Sequence, residues 1–266
     1  MENRILLALI ATLGTWFITA LGAGIVIFFK SSHQKLLNLM LGFAAGVMIA
    51  ASFWSLLEPA ISRAEAVSRI PAWMVVSIGF LCGALFMWAS DKAVTYTRKK
   101  VNHQSPDDTG KYCRILMLVL SITLHNIPEG LAVGVAFGAL RPGATGESLM
   151  GAIAIAVGIG LQNFPEGAAV SLPLRREGYS RRRSFLIGQA SGMVEPVAGI
   201  IGALLVSHVE KVLPYALSFA AGAMILVAVH ELIPECQQDQ KTSPYFATMG
   251  IVSGFAVMML LDVALG

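Results

Sequence analysis

Residues 125–133 read HNIPEGLAV and residues 162–170 read QNFPEGAAV. Each block sets an imidazole or amide, an asparagine, a proline and a glutamate inside strongly apolar sequence. A charged group at the centre of a membrane helix costs about 3 kcal/mol or more, so such residues mark function by default. Residues four apart share a helix face, which stacks His125 beside Glu129 and Gln162 beside Glu166. Two such faces opposed would surround a cation. Glu195, near the centre of another apolar run and also followed by a proline, brings a third carboxylate.

Three ionised glutamates carry three negative charges, so one divalent cation leaves the group at minus one and two leave it at plus one. Neither balance is forbidding. The donors are one imidazole, the carboxylates and the amide oxygens of Asn126, Gln162 and Asn163, with no thiolate. This mixed nitrogen and oxygen set suits zinc, iron(II), manganese, cobalt or cadmium better than copper(I). Pro128 and Pro165 cannot donate to the carbonyls of Leu124 and Leu161, and are expected to bend their helices there.

The elements that position these residues are membrane spans. The 266 residues are 56% hydrophobic and only 13% charged, with a mean hydropathy of +0.70; an ordinary soluble domain is roughly 25% charged. Apolar runs long enough to cross about 30 Å of hydrocarbon fall at about 5–29, 36–57, 72–97, 114–139, 148–174, 184–207, 212–233 and 245–265. The expectation is an all-α integral membrane protein of eight transmembrane helices, one transmembrane domain over residues 1–266, in the cell membrane. The first run, about 25 residues, exceeds the roughly 7–15 of a signal-peptide core, so it is read as a spanning helix.

With the amino terminus outside, the inner loops hold Lys30, Lys35, Lys92, Arg98, Lys99, Lys100, Lys111, Arg114, Arg175, Arg176, Arg181, Arg182, Arg183 and Lys241, and the outer side keeps Arg4, Arg63, Arg69, Arg141 and Lys211. That asymmetry places both termini outside. The basic run near 181 is read as a lipid contact, not a nucleic-acid patch; the partners are divalent metal ions and the bilayer. Cys82, Cys113 and Cys236 form no metal or redox motif, and His33, His103 and His208 are read as solvated loop residues.

A shift of 176 residues carries FAAGVM at 43–48 onto FAAGAM at 219–224, and a shift of 171 carries Gly79, Gly83 and Asp91 onto Gly250, Gly254 and Asp262. Helices two and three thus match seven and eight in opposite orientation, and helices four and five carry the two polar blocks. The order is 3+2+3, and inverted repeats related by an axis in the membrane plane mark many secondary transporters, with the substrate near the midplane. Small-residue stripes such as Gly79 and Gly83 can pack helices within a protomer or across a homodimer.

On the HNIPEG and QNFPEG blocks, the eight spans and the 3+2+3 order, the chain resembles the ZIP family of divalent metal transporters, closest to its GufA-like prokaryotic branch. The resemblance implies a binuclear centre. His125, Glu129, Gln162 and Glu166 would hold the first metal; Asn126, Asn163 and Glu195 would add to a second, bridged by Glu129 and Glu166. The neutral Gln162 and Asn163 depart from the many members with His and further acidic residues in the fifth helix, which weakens the second position. His230, Glu231 and Asp91 resemble the family's inner-side metal positions, while Asp262 and Glu58 would mark the outer mouth. The segment 98–111 has only His103, Asp107 and Asp108 where relatives often carry histidine-rich loops.

The leading expectation is a carrier, not an enzyme, moving zinc or a related divalent ion into the cytoplasm by alternating access. The resemblance implies that helices one, four, five and six shift against two, three, seven and eight. The alternative is an intramembrane zinc-dependent hydrolase, although no HExxH is present and HELIP at 230–234 lacks the second histidine. A channel would be better marked by a charged ring without inverted repeats.

Overall fold

The computed structural model describes residues 2–28, 34–102, 108–140, 146–208, 210–237 and 245–265, and their regular structure is entirely helical. Eight long helices follow one another: α1 (Glu2–Phe28), α2 (Gln34–Val67), α3 (Ala72–Asn102), α4 (Asp108–Gly138), α5 (Gly146–Arg176), α6 (Arg181–Ala190, then Ser191–Met193 and Val194–His208), α7 (Leu213–Gln237) and α8 (Tyr245–Leu265). Among the described residues seven of them, all but α4, are long and apolar enough to cross a membrane. The 31-residue α4 packs in their midst and carries the first polar block.

The distribution of side chains is that of a protein whose solvent is lipid. Phe17, Trp73, Leu81, Leu85, Val252 and Leu260 are exposed, whereas Glu129, Gln162, Asn163 and Glu195 are buried in the interior. The chain is a multi-pass membrane protein.

Its extensive helix pairings include α2 with α8, α1 with α5, α4 with α6 and α3 with α7. An exchange of α1 with α6, α2 with α7, α3 with α8 and α4 with α5 turns the α2–α8 pair into α7–α3 and the α1–α5 pair into α6–α4. The inverted repeat therefore extends to the packing. It holds at single residues too: a Cβ on Gly83 would collide with the carbonyl of Phe219, and a Cβ on its mate Gly254 with the carbonyl of Phe43, the mate of Phe219. Gly79 and Gly83 thus join α3 to α7 within the chain.

One feature differs from expectation. Hydropathy ends helix two near 57 and helix seven near 233, but α2 runs on to Val67 and α7 to Gln237. Hydropathy reports the thickness of hydrocarbon, whereas the Ala, Glu and Arg of 58–67 keep the helix going beyond it. The helices α4 and α5 stay α-helical through Pro128 and Pro165. The breaks lie elsewhere: π turns at Ser52–Leu57 in α2 and Ala228–Leu232 in α7, and a 3-10 turn at Ser191–Met193 in α6.

The π turns start at residues related by the same shift of 176, and each ends just before a proline, Pro59 or Pro234. A proline gives no N–H to the carbonyl four residues back. The preceding turn widens, so that the N–H of Glu58 bonds the Phe53 carbonyl and that of Ile233 bonds the Ala228 carbonyl, each five residues back. Such turns recur at functional sites, and these carry Ser55 and the His230–Glu231 pair.

Lys30, His33, His103, Asp107, Arg141 and Lys241 lie outside the described residues, as do the side chains of Arg98, Lys99, Lys100, Asp108, Lys111, Cys113, Arg114 and His208.

The α3–α7 approach predicts that Gly83→Leu forces the two backbones apart, an overpacking cost of about 1–3 kcal/mol visible as a lower melting temperature in detergent. Gly14→Ala, at a position where a Cβ meets nothing within 4 Å, should leave it unchanged. Equal melting temperatures for the two variants would refute this packing.

Candidate metal centre

The central pair α4 and α5 brings the two polar blocks together, and all seven residues expected at the centre are buried: His125, Asn126, Glu129, Gln162, Asn163, Glu166 and Glu195. Their contacts run between helices, however, and not along them. Gln162 does not pair with Glu166, four residues on, but donates its Nε2–H to Glu129 Oε1 at 2.7 Å. His125 Nε2 lies 2.8 Å from Glu231 Oε1 of the α7 π turn.

The asparagines are fixed by backbone carbonyls. Asn126 Nδ2 donates to the Ser191 carbonyl at 2.9 Å and Asn163 Nδ2 to the Thr15 carbonyl at 3.3 Å. Asn126 and Asn163 are mates in the repeat, and the shift of 176 carries Thr15 onto Ser191, so one structural bond is made twice. Asn163 Nδ2 also lies 2.9 Å from each oxygen of Glu195. Thr15 Oγ1 donates to Glu195 Oε2 at 2.5 Å, and Thr19 Oγ1 lies 3.3 Å from Oε1.

Sequence reasoning missed Thr15 and Thr19. Threonine in an apolar helix ordinarily bonds its own preceding carbonyl, and both hydroxyls are also in reach of one, Thr12 O at 3.0 Å and Thr15 O at 3.3 Å. The available signal was positional, because the shift of 176 superposes Thr19 on Glu195.

Four oxygens at this centre are buried without a donor: Asn126 Oδ1, Glu129 Oε2, Gln162 Oε1 and Asn163 Oδ1. A buried acceptor left unpaired costs about 1–3 kcal/mol, so these oxygens are open to a water, another donor or a cation. Among the described residues no three His, Cys, Asp or Glu side chains by themselves form a metal-binding group, so any ion held here must draw on the amide oxygens as well.

The remaining candidates form two separate sets. Toward one end, His230 Nε2 stands 3.7 Å from Asp91 Oδ2, with His230 62% exposed and Asp91 25%. Glu231, 27% exposed, reaches inward from the same turn to His125. Elsewhere, Ser55 Oγ, on the α2 π turn, donates to Asp262 Oδ1 at 2.5 Å, while Glu58 is exposed. Glu235 is also exposed.

The description of a zinc transporter family, ZIP, matches residues 5–114 and 98–262. The chain belongs to the ZIP family. It is similar to Zinc transporter ZIP11 of Xenopus tropicalis, 39% identical over 99% of this chain and 98% of that protein. Zinc transporter ZIPB of Bordetella bronchiseptica is 37% identical over 93% of this chain and 78% of its own length. Zinc transporter GufA of Myxococcus xanthus is 35% identical, with 97% and 98% covered. Within this ZIP chain the two blocks lie side by side in the interior of the bundle.

Because the Asn126 amide satisfies the Ser191 carbonyl, Asn126→Leu strands that buried acceptor at the 3-10 turn ahead of Glu195. A loss of about 1–3 kcal/mol follows, measured as a fall in melting temperature in metal-free buffer. An unchanged temperature would show that the bond contributes nothing.

Proposed function

We propose that this ZIP chain carries zinc, or a closely related divalent cation, into the cytoplasm by alternating access. The carrying observation is the set of donorless buried oxygens beside Glu129 and Glu166, at the junction of two inverted helices. His125, Glu129, Gln162 and Glu166 are the primary ligands. The relatives are named as zinc transporters, which supports zinc as the cargo.

The donor set fits a carrier. Neutral amide oxygens bind a borderline cation more weakly than thiolate or additional imidazole would, and weak ligation lets the ion leave. Asp262 and Ser55, with the exposed Glu58, receive the ion outside; Glu231, His230 and Asp91 take it over inside. The moving group is α1, α4, α5 and α6, and the supporting group is α2, α3, α7 and α8. The α2–α8, α1–α5, α4–α6 and α3–α7 pairings each lie within one of these groups. The hydrolase alternative has no support among the named relatives, and Glu231 of HELIP faces His125 from another helix instead of joining a second histidine on its own.

Radiolabelled zinc uptake into proteoliposomes tests the assignment. Glu129→Ala and Glu166→Ala should each lower the initial rate at least about tenfold, the equivalent of about 1.4 kcal/mol. Wild-type uptake by both variants would place the transported ion elsewhere. Competition by cadmium, iron(II) and manganese in the same assay reads out substrate range.

A further inference from the structure

We propose that Glu195 is a positioning residue and not a ligand of the transported ion. Its carboxylate, held by Thr15, Thr19 and Asn163, closes the second metal position and makes this a one-ion centre. The inference rests on the reading that the transported ion binds at Glu129 and Glu166.

The hydrogen bonds separate two kinds of buried oxygen. Both oxygens of Glu195 face donors: Asn163 Nδ2 at 2.9 Å from each, Thr15 Oγ1 at 2.5 Å from Oε2 and Thr19 Oγ1 at 3.3 Å from Oε1. Neither belongs to the donorless set, which consists at this centre of Asn126 Oδ1, Glu129 Oε2, Gln162 Oε1 and Asn163 Oδ1. Hydrogen bonds to an ionised carboxylate are roughly twice as strong as neutral ones. For Glu195 to turn onto a metal it would have to release these donors inside a buried region.

Residue 163 decides which arrangement forms. Its amide nitrogen must face Glu195, because the amide oxygen aimed at a carboxylate would be repelled. A carboxylate at this position would instead set two acidic groups against each other, a pair that only a cation or a proton relieves. The neutral amide removes that demand. It also fits the charge: one divalent ion balances Glu129 and Glu166, while Glu195 is stabilised by fixed dipoles.

The fold builds the lock deliberately on three helices. Thr15 and Thr19 come from α1, Asn163 from α5 and Glu195 from the first turn of α6 after its 3-10 turn. The α4 helix closes directly on the Glu195 backbone at Gly130, where a Cβ would lie 2.7 Å from the Glu195 Cα. The amide-to-carbonyl bonds of Asn126 and Asn163 occur on both sides of the pseudo-two-fold. The Glu195 interactions occur on one side alone, because the mate of Glu195 is Thr19. Glu195 thereby ties α1, α5 and α6 into one body around a single ion.

The test is the zinc-to-protein ratio of the purified full chain after equilibrium dialysis, read by elemental analysis. One zinc per chain is expected in wild type and in Glu195→Gln. Two are expected in Asn163→Asp, where the donor to Glu195 becomes an acceptor. The double variant Thr15→Val with Thr19→Val strips the hydroxyls from Glu195 and should likewise admit a second ion, which keeps the proposal testable if Asn163→Asp fails to fold. Two zinc ions in wild type falling to one in Glu195→Gln would overturn the proposal, as would a ratio of one in every folded variant. A ratio of zero in wild type, with uptake insensitive to Glu129→Ala, would overturn the transport-site reading itself and this inference with it.

Discussion

Carboxylates buried in an apolar bundle are the constraint on which the rest of this structure depends. Glu129 and Glu195 are fully buried, with Glu166 close behind, and lipid offers no water to solvate them. Each must therefore find donors or a cation inside the protein. The two glutamates that are buried deepest meet the demand differently. Glu195 is surrounded by hydroxyl and amide donors, whereas Glu129 takes one amide on Oε1 and leaves Oε2 without a partner. Hydrogen bonding, and not burial, is what distinguishes the two carboxylates.

The backbone around these groups is nearly symmetric, and the side chains are not. Glycine contacts, π turns and asparagine-to-carbonyl bonds all recur across the pseudo-two-fold. Packing enforces this, because helices that approach through backbone contacts tolerate little variation where they touch. Side chains that face the centre carry no such restraint. His125 is the mate of Gln162, Glu195 of Thr19 and Glu231 of Ser55, so chemistry was free to diverge on a shared scaffold. The asymmetry of the centre is thus a property of its lining alone.

Much of this was legible in sequence because two signals survive without coordinates. Length of apolar run reports spans, and the doubled NxPEG block reports both the repeat and the centre, so the helices and the buried residues of the two blocks were readable. Contact partners were not. The rule that residues four apart share a face places Gln162 beside Glu166, but a buried amide takes the strongest acceptor in reach, which sits on the neighbouring helix as Glu129. Thr15 and Thr19 were hidden because hydroxyls in apolar helices usually serve their own backbone. The π turns were marked only by Pro59 and Pro234, which lie after the widened turns and not within them.

The two groups proposed to move against each other touch differently within and between themselves. Within a group, helices meet backbone to backbone: Gly22 against Phe164, Gly134 against Gly199, Gly83 against Phe219 and Gly254 against Phe43. Across the boundary, the close approach at Gly158 is to the side chain of Met258, flexible and without a fixed shape. Glycine contacts lock register, because a carbonyl seated where a Cβ would lie cannot slide past its neighbour. A methionine can follow a moving surface. The buried polar contact that does cross the boundary joins His125 to Glu231, and among the described residues no corresponding contact joins their mates Gln162 and Ser55, since Ser55 is taken by Asp262. The His125–Glu231 contact ties the centre to α7 through a histidine and a glutamate, both side chains of metal-binding type. In the proposed carrier an arriving ion competes for this contact, so occupancy of the centre and adhesion between the two groups draw on the same atoms.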